Sequence, residues 1–167
     1  MTERLLPRKL YDKAKEVVDA NRKLGRRVAV AESCTGGLVC AALTEIPGSS
    51  DIFEAGYITY SNASKIDDLG VSSEVVETFG AVSVATAWAM ARGALAASSA
   101  DVAVAITGIA GPGGGTPSKP VGTVVFARAE RGADPSQIVA DQRHFDAEGR
   151  AGVRLQAALC ALDLLMP

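Results

Sequence analysis

The decapeptide Val28–Gly37, VAVAESCTGG, constrains the fold more than any other stretch of this chain. Four residues of alternating small and β-branched character run into Glu32-Ser33-Cys34-Thr35-Gly36-Gly37, and a helix-like segment begins at Leu38. The order is strand, tight turn, helix N-terminus. The first N–H groups of a helix lack intrahelical partners, and the helix dipole makes that end electropositive, so an anion or a developing oxyanion is welcome there. Ser33 puts a hydroxyl at the bend beside the N–H groups of Thr35, Gly36 and Gly37, an arrangement that suits a nucleophile with its own oxyanion donors. The same residues also serve as ordinary caps and turn formers, so the turn alone does not decide its own use.

Helical and strand-like segments alternate around this junction. Leu6, Leu10, Ala14, Val17, Ala20 and Leu24 recur at three- and four-residue steps and predict an amphipathic helix that Gly25 ends. Val28–Ala31 is the first strand, and Leu38–Ile46, apolar nearly all round, is a buried helix closed by Pro47-Gly48. Phe53–Tyr60 reads as a second strand, Ser61-Asn62 as an N-cap signal, and Ala63–Leu69 as a short helix stopped by Gly70. Another short helix runs from the Ser72-Ser73-Glu74 cap to Phe79, and a longer one follows Ser83 with Val84, Trp88, Ala91 and Leu95 on one stripe. Asp101–Thr107 is a near-continuous apolar run of the kind covered on both faces. Thr123–Ala129 and Ile138–Phe145 are two further strands, the second polar enough for an edge, and a final helix spans Ala147–Met166 with Val153, Leu155, Leu159, Leu162 and Leu165 at helical spacing. This pattern predicts an α/β fold, a three-layer α/β/α sandwich with a mixed, largely parallel sheet. A chain of 167 residues with 48% hydrophobic residues is expected to form a single domain over 1–167. Ligands in such folds sit beyond the carboxyl ends of the strands, where the Ser33 turn, Tyr60-Ser61-Asn62 and the segment after Thr107 all fall.

Composition narrows the chemistry. With 17 basic and 19 acidic residues and no basic stripe interleaved with aromatics, nucleic acid is not an expected ligand, and a small molecule is. No apolar run reaches the length of a membrane span and the N-terminal stretch lacks a secretory h-region, so no membrane association is expected and the location expected is cytoplasmic. Cys34, Cys40 and Cys160 lack zinc-finger or disulfide spacing, and a single histidine, His144, rules out a multi-histidine metal site. No metal and no cofactor are expected. A serine nucleophile still needs a base. Lys65 lies about one turn into the helix begun by Ser61-Asn62, where burial and the dipole both disfavour the ammonium form. A neutral lysine is a competent base, and Tyr60 at the preceding strand end is suited to pass a proton or hold the lysine. The 15-residue segment GIAGPGGGTPSKPVG (108–122) matches neither a kinase-type phosphate loop nor a dinucleotide fingerprint. Its glycines, Gly108, Gly111, Gly113 and Gly114 among them, let backbone N–H groups approach a phosphate, with Thr107 and Lys119 adding a hydroxyl and a charge.

Glu32–Gly37 (ESCTGG), Tyr60–Lys65 (YSNASK) and Thr107–Val124 (TGIAGPGGGTPSKPVGTV), in this order and spacing, resemble the CinA C-terminal domain family over about residues 10–165. The resemblance implies a nicotinamide-mononucleotide amidohydrolase that is metal-independent, uses a Ser-Lys pair with a nearby Tyr, and forms nicotinate mononucleotide and ammonia. Those roles fall on Ser33, Lys65 and Tyr60. The family's FxGDRxxVR stretch corresponds to Phe145–Arg154 with one residue more, which leaves the arginine of the substrate site open between those of the stretch, Arg150 being preferred. The larger N-terminal domain of full-length CinA proteins has no counterpart in this sequence, so the resemblance is to the stand-alone form. A non-catalytic nucleotide-binding or regulatory module is the competing expectation, and a cysteine hydrolase built on Cys34 a third. The Ala-rich helices and the short polar edge suggest a homodimer or higher homo-oligomer.

Overall fold

Valine and alanine alternate along the two central strands, and the alternation sorts the molecule into layers. In β1 (Val28–Glu32) and β3 (Val102–Gly108), Val28, Val30, Val102, Val104 and Ile106 join one core, whereas Ala29, Ala31, Ala103 and Ala105 join another. Successive side chains of a strand point to opposite faces, so one face of the sheet is bulky and the other nearly smooth. The bulky face is covered by α1 (Arg8–Leu24), α2 (Leu38–Thr44) and α6 (Gly149–Leu164). The smooth face receives α5 (Val84–Ala97), with α3 (Asn62–Leu69) and α4 (Ser73–Phe79) packed beside it. This computed structural model describes residues 3–146 and 149–167.

With β2 (Phe53–Ile58), β4 (Thr123–Glu130) and β5 (Ala140–His144), the strands lie in the order β2-β1-β3-β4-β5. β1 is parallel to both β2 and β3, and β4 runs antiparallel between β3 and β5, so β1, β2, β3 and β5 share one direction and β4 opposes them. The sandwich with a mixed, largely parallel sheet is therefore what the chain adopts. The connection from β1 leaves through α2 to one side and the return to β3 passes through α3, α4 and α5 on the opposite face. Such a divergence opens a crevice at the carboxyl ends of β1 and β3. The turn after β1, the segment after β2 and the long β3–β4 connection all meet at that edge.

Several expected boundaries shift for identifiable reasons. Helix α1 ends on Gly25 as expected, in the left-handed conformation at φ 62°, yet Leu24 is 64% exposed. The last buried position belongs instead to Asn21, whose side-chain amide donates to Leu165 O at 3.0 Å and ties α1 to the end of α6. β2 stops at Ile58, where its pairing with Glu32 ends, two residues before the expected Tyr60. The sheet-facing line of α5 is Ala87, Met90, Ala91, Ala94 and Leu95: Ala91 and Leu95 belong to the expected stripe, whereas Val84 is exposed and Trp88 only partly buried. β5 is the polar edge expected, shortened to Ala140–His144. The expected start of the last helix at Ala147, and with it Glu148 of the lengthened Phe145–Arg154 stretch, lies outside the described residues. Among the described residues no helix is long and apolar enough to cross a membrane.

Candidate active site

Ser33 is the first residue beyond β1, and its N–H donates to Ile106 O at 2.9 Å, which fixes the start of the turn to the neighbouring strand. Lys65 comes from α3. Ser61 caps that helix by accepting from Ser64 N–H at 3.0 Å, and one turn later the Lys65 side chain runs back into the interior. The residue is only 1% exposed. Its Nζ stands 2.9 Å from Ser33 Oγ, 2.8 Å from Thr59 O and 3.1 Å from Tyr60 O. An ammonium would donate in all three directions. A neutral amine has two N–H donors and one lone pair, and because carbonyls only accept, the two N–H groups go to Thr59 and Tyr60 and the lone pair faces the serine. Burial draws the Lys65 amine down to about 8, opposed only by the Cys34 sulfur nearby.

Ser33 and Lys65 open onto a cavity of about 280 Å³, close to the roughly 300 Å³ at which small-molecule sites begin. Tyr60, Thr107, Gly108, Gly111, Gly113, Gly114 and Arg150 line it as well, so most residues singled out from the sequence converge here. Tyr60 divides its polar groups. Its carbonyl holds Lys65, while its hydroxyl accepts from Arg150 Nη2 at 2.9 Å on the exposed side of the cavity. Arg150 Nη1 donates to Gly111 O at 2.7 Å, so the guanidinium links Tyr60 to the glycine-rich connection. No carboxylate lines the cavity among the described residues, which leaves it with two basic side chains and no acidic one.

The β3–β4 connection is built, not slack. Ile109 N–H donates to Thr123 O and Gly122 N–H to Ile109 O, at 2.9 and 2.8 Å. Gly111 sits at φ 84°, and a Cβ there would come within 2.5 Å of Val121 Cγ1. Lys119, expected to add charge to the site, does not line the cavity: its ammonium donates to Phe79 O at 2.9 Å at the end of α4. Thr107 lines the cavity with its hydroxyl committed to Ala81 O at 2.9 Å.

Thr35, Gly36 and Gly37 lie behind the serine instead of on the cavity wall. Gly36 N–H donates to Ser33 O at 3.0 Å, inside the turn. The Thr35 hydroxyl donates to Glu32 Oε1 at 2.6 Å, and Gly37 precedes α2 at φ 98°. The residue that organises this region was not singled out from the sequence. Glu32 is wholly buried, and its two carboxylate oxygens accept from Val39 N–H at 3.1 Å and Cys40 N–H at 3.0 Å. The anion expected at this helix start is therefore the chain's own. An acidic residue closing an otherwise apolar strand was the available signal. Arg154 was likewise passed over in favour of Arg150: it donates to Cys34 O at 3.2 Å and Thr35 O at 3.1 Å, bracing the turn from α6. Cys34 lines the cavity, and burial pushes its thiol up to about 11. His144 is held at Val121 O, 3.0 Å away, and does not line the cavity. Among the described residues no three His, Cys, Asp or Glu side chains gather to hold a metal ion.

The chain is similar over most of its length to known proteins. A nicotinamide-nucleotide amidohydrolase, PncC, of Pseudomonas putida is 50% identical over 145 residues, 87% of this chain and 88% of that protein. A CinA-like protein of Mycobacterium avium is 50% identical over 142 residues, which is 84% of this chain but 32% of the longer relative. Among solved structures, the competence/damage inducible protein CihA from Agrobacterium tumefaciens superposes with a TM-score of 0.92 at 45% identity, covering 98% of this chain and 97% of that one. The CinA C-terminal domain matches residues 10–167, and the chain accordingly belongs to the CinA C-terminal domain family.

Proposed function

We propose that this chain hydrolyses the carboxamide of nicotinamide mononucleotide to nicotinate mononucleotide and ammonia, with Ser33 as nucleophile, Lys65 as its base and no metal. The observation that carries the proposal is the 2.9 Å contact between Lys65 Nζ and Ser33 Oγ, with the amine's other two directions taken by backbone carbonyls. The name of the Pseudomonas putida relative supports the substrate. Neutral Lys65 takes the Ser33 proton as Oγ bonds to the carboxamide carbon, and the carbonyl oxygen becomes an oxyanion. The Gly36 N–H is already engaged with Ser33 O, so the N–H groups of the turn left for the oxyanion are those of Cys34, Thr35 and Gly37, none of which has a backbone acceptor among the described residues. The Lys65 ammonium then protonates the departing nitrogen, the C–N bond breaks and ammonia leaves. Water, deprotonated by Lys65, attacks the acyl-enzyme, releases the carboxylate and returns the proton to Ser33. Tyr60 contributes its carbonyl to the orientation of the amine. Its hydroxyl and Arg150 form the outer wall, where Arg150 and the N–H groups of Gly113 and Gly114 receive the phosphate.

Incubating the purified protein with nicotinamide mononucleotide in the presence of a chelator tests the proposal. Ammonia and the acid product are expected in equal amounts, and Ser33→Ala, folded and still binding the nucleotide, is expected to lose at least about a thousandfold in kcat. Nucleotide binding without ammonia release would make the chain a binding module, and near wild-type turnover by Ser33→Ala would remove the serine from its role.

A further inference from the structure

We propose that Glu32 is the positioning residue of the Ser33 turn: its buried carboxylate gathers the Thr35 hydroxyl and the first N–H groups of α2, and thereby sets where Ser33 Oγ stands against Lys65. The inference rests on Ser33 being the nucleophile. Glu32 is the last residue of β1, held in the sheet by Thr59 N–H donating to its carbonyl at 2.9 Å, and Ser33 follows it directly. Its side chain reaches forward over the turn to Thr35, Val39 and Cys40, so strand, turn and helix are closed on one carboxylate. From the opposite side Arg154 holds the Cys34 and Thr35 carbonyls, and Gly36 N–H closes on Ser33 O. The turn is thus clamped at Thr35 from both sides, two residues from the nucleophilic oxygen.

A cap alone does not call for this arrangement. A helix start is served as well by a serine or aspartate at the surface, whereas Glu32 is wholly buried and has no cationic partner among the described residues. Burying a carboxylate is tolerated only where hydrogen bonds replace water, and here two N–H groups, a hydroxyl and the positive end of α2 do so. The anion is therefore satisfied by the same groups whose positions it dictates. With α2 neutralised from within, the substrate's own charge is left to the Arg150 side of the cavity.

Glu32→Gln keeps the volume but replaces one acceptor oxygen by an NH₂ group, so at least one of the three contacts is lost. In the folded variant kcat is expected to fall roughly a hundredfold, the scale of a small misplacement of reacting groups, with KM within about twofold of wild type. Calorimetric binding of nicotinate mononucleotide should still reach one per chain, a readout that partial unfolding would lower. Thr35→Val, which deletes a single hydroxyl, should lower kcat by roughly tenfold in the same pattern. Wild-type kcat in folded Glu32→Gln overturns the inference, as does a loss of activity matched by a loss of binding stoichiometry. If Glu32→Gln does not fold, Thr35→Val decides, and wild-type kcat there overturns it. An inactive Ser33→Ala beside a fully active Glu32→Gln removes this inference alone, whereas an active Ser33→Ala removes the nucleophile on which it rests.

Discussion

Lys65 is a buried amine held by two carbonyls and a serine with no carboxylate partner among the described residues, so the charge it carries when protonated has to be counted in the stability of the fold. Its folded pKa, about 8, lies below the 10.5 of an exposed lysine. Below about pH 8 both the folded and the unfolded chain carry the proton, and the cost of burying the charge is present in full. Between about 8 and 10.5 the unfolded chain holds more protons than the folded one, so stability rises with pH until both are neutral. Lys65→Met, which has no charge to bury, is therefore expected to be more stable than wild type near neutral pH. The gap in urea midpoint should close as pH rises towards 10.5, and a pH-independent gap would contradict the burial of this charge. The thiols behave in the same sense: burial raises Cys34, Cys40 and Cys160, so alkylating reagents at pH 7 should leave turnover intact, measured as ammonia release before and after treatment. Lys65 was legible in the sequence because a helix cap four residues upstream, Ser61, fixes where its side chain starts. Glu32 was not, because its partners lie seven and eight residues further on and only the folded turn brings them back.

Elements place these residues through close backbone approach. α3 carries Lys65, and its end rests on α5 at Gly93, where a Cβ would stand 2.0 Å from Leu69 O. Gly93→Ala must push α3 outward. A loss of about 1–3 kcal/mol in unfolding free energy is expected, together with a drop in kcat because Lys65 moves with its helix. Unaltered stability would mean that the α3–α5 contact is looser than these distances require. The glycine-rich connection gives the converse case. A Cβ at Gly113 meets nothing within 4 Å, so Gly113→Val should fold with a Tm near wild type while KM rises several-fold, if that wall receives the phosphate. An unchanged KM would exclude Gly113 from the phosphate site. The strands were legible from their composition, since Val and Ala runs have few alternatives to a covered sheet. The stripe of α5 was legible only in part, because a helix so apolar all round marks no single face: Ala91 and Leu95 meet the sheet as expected, whereas Val84 is exposed, Trp88 is only partly buried, and Ala87, Met90 and Ala94 complete the face.

At the scale of the molecule, a strand order that places β1 between β2 and β3 brings together residues as far apart in the chain as Ser33 and Arg150. The edge where they meet could be read from the alternation of strands and helices, since loops at carboxyl ends share one side of such a sheet. Which faces of those loops turn inward could not: Thr35, Gly36, Gly37 and Lys119 lie on the right segments but do not line the cavity, whereas Arg150 does. The result is a cavity with a serine and two basic groups and, among the described residues, no carboxylate, which is the charge balance an anionic substrate calls for. The central claim is that Lys65 acts there as a base, and the rate of ammonia release from nicotinamide mononucleotide as a function of pH, for wild type and Lys65→Arg, tests it most directly. For wild type, kcat/KM should rise with pH through about 8 as the amine loses its proton, and Lys65→Arg, always charged, should remain nearly inactive across the range. A Lys65→Arg protein with near wild-type turnover, or a wild-type profile without that rise, would contradict it.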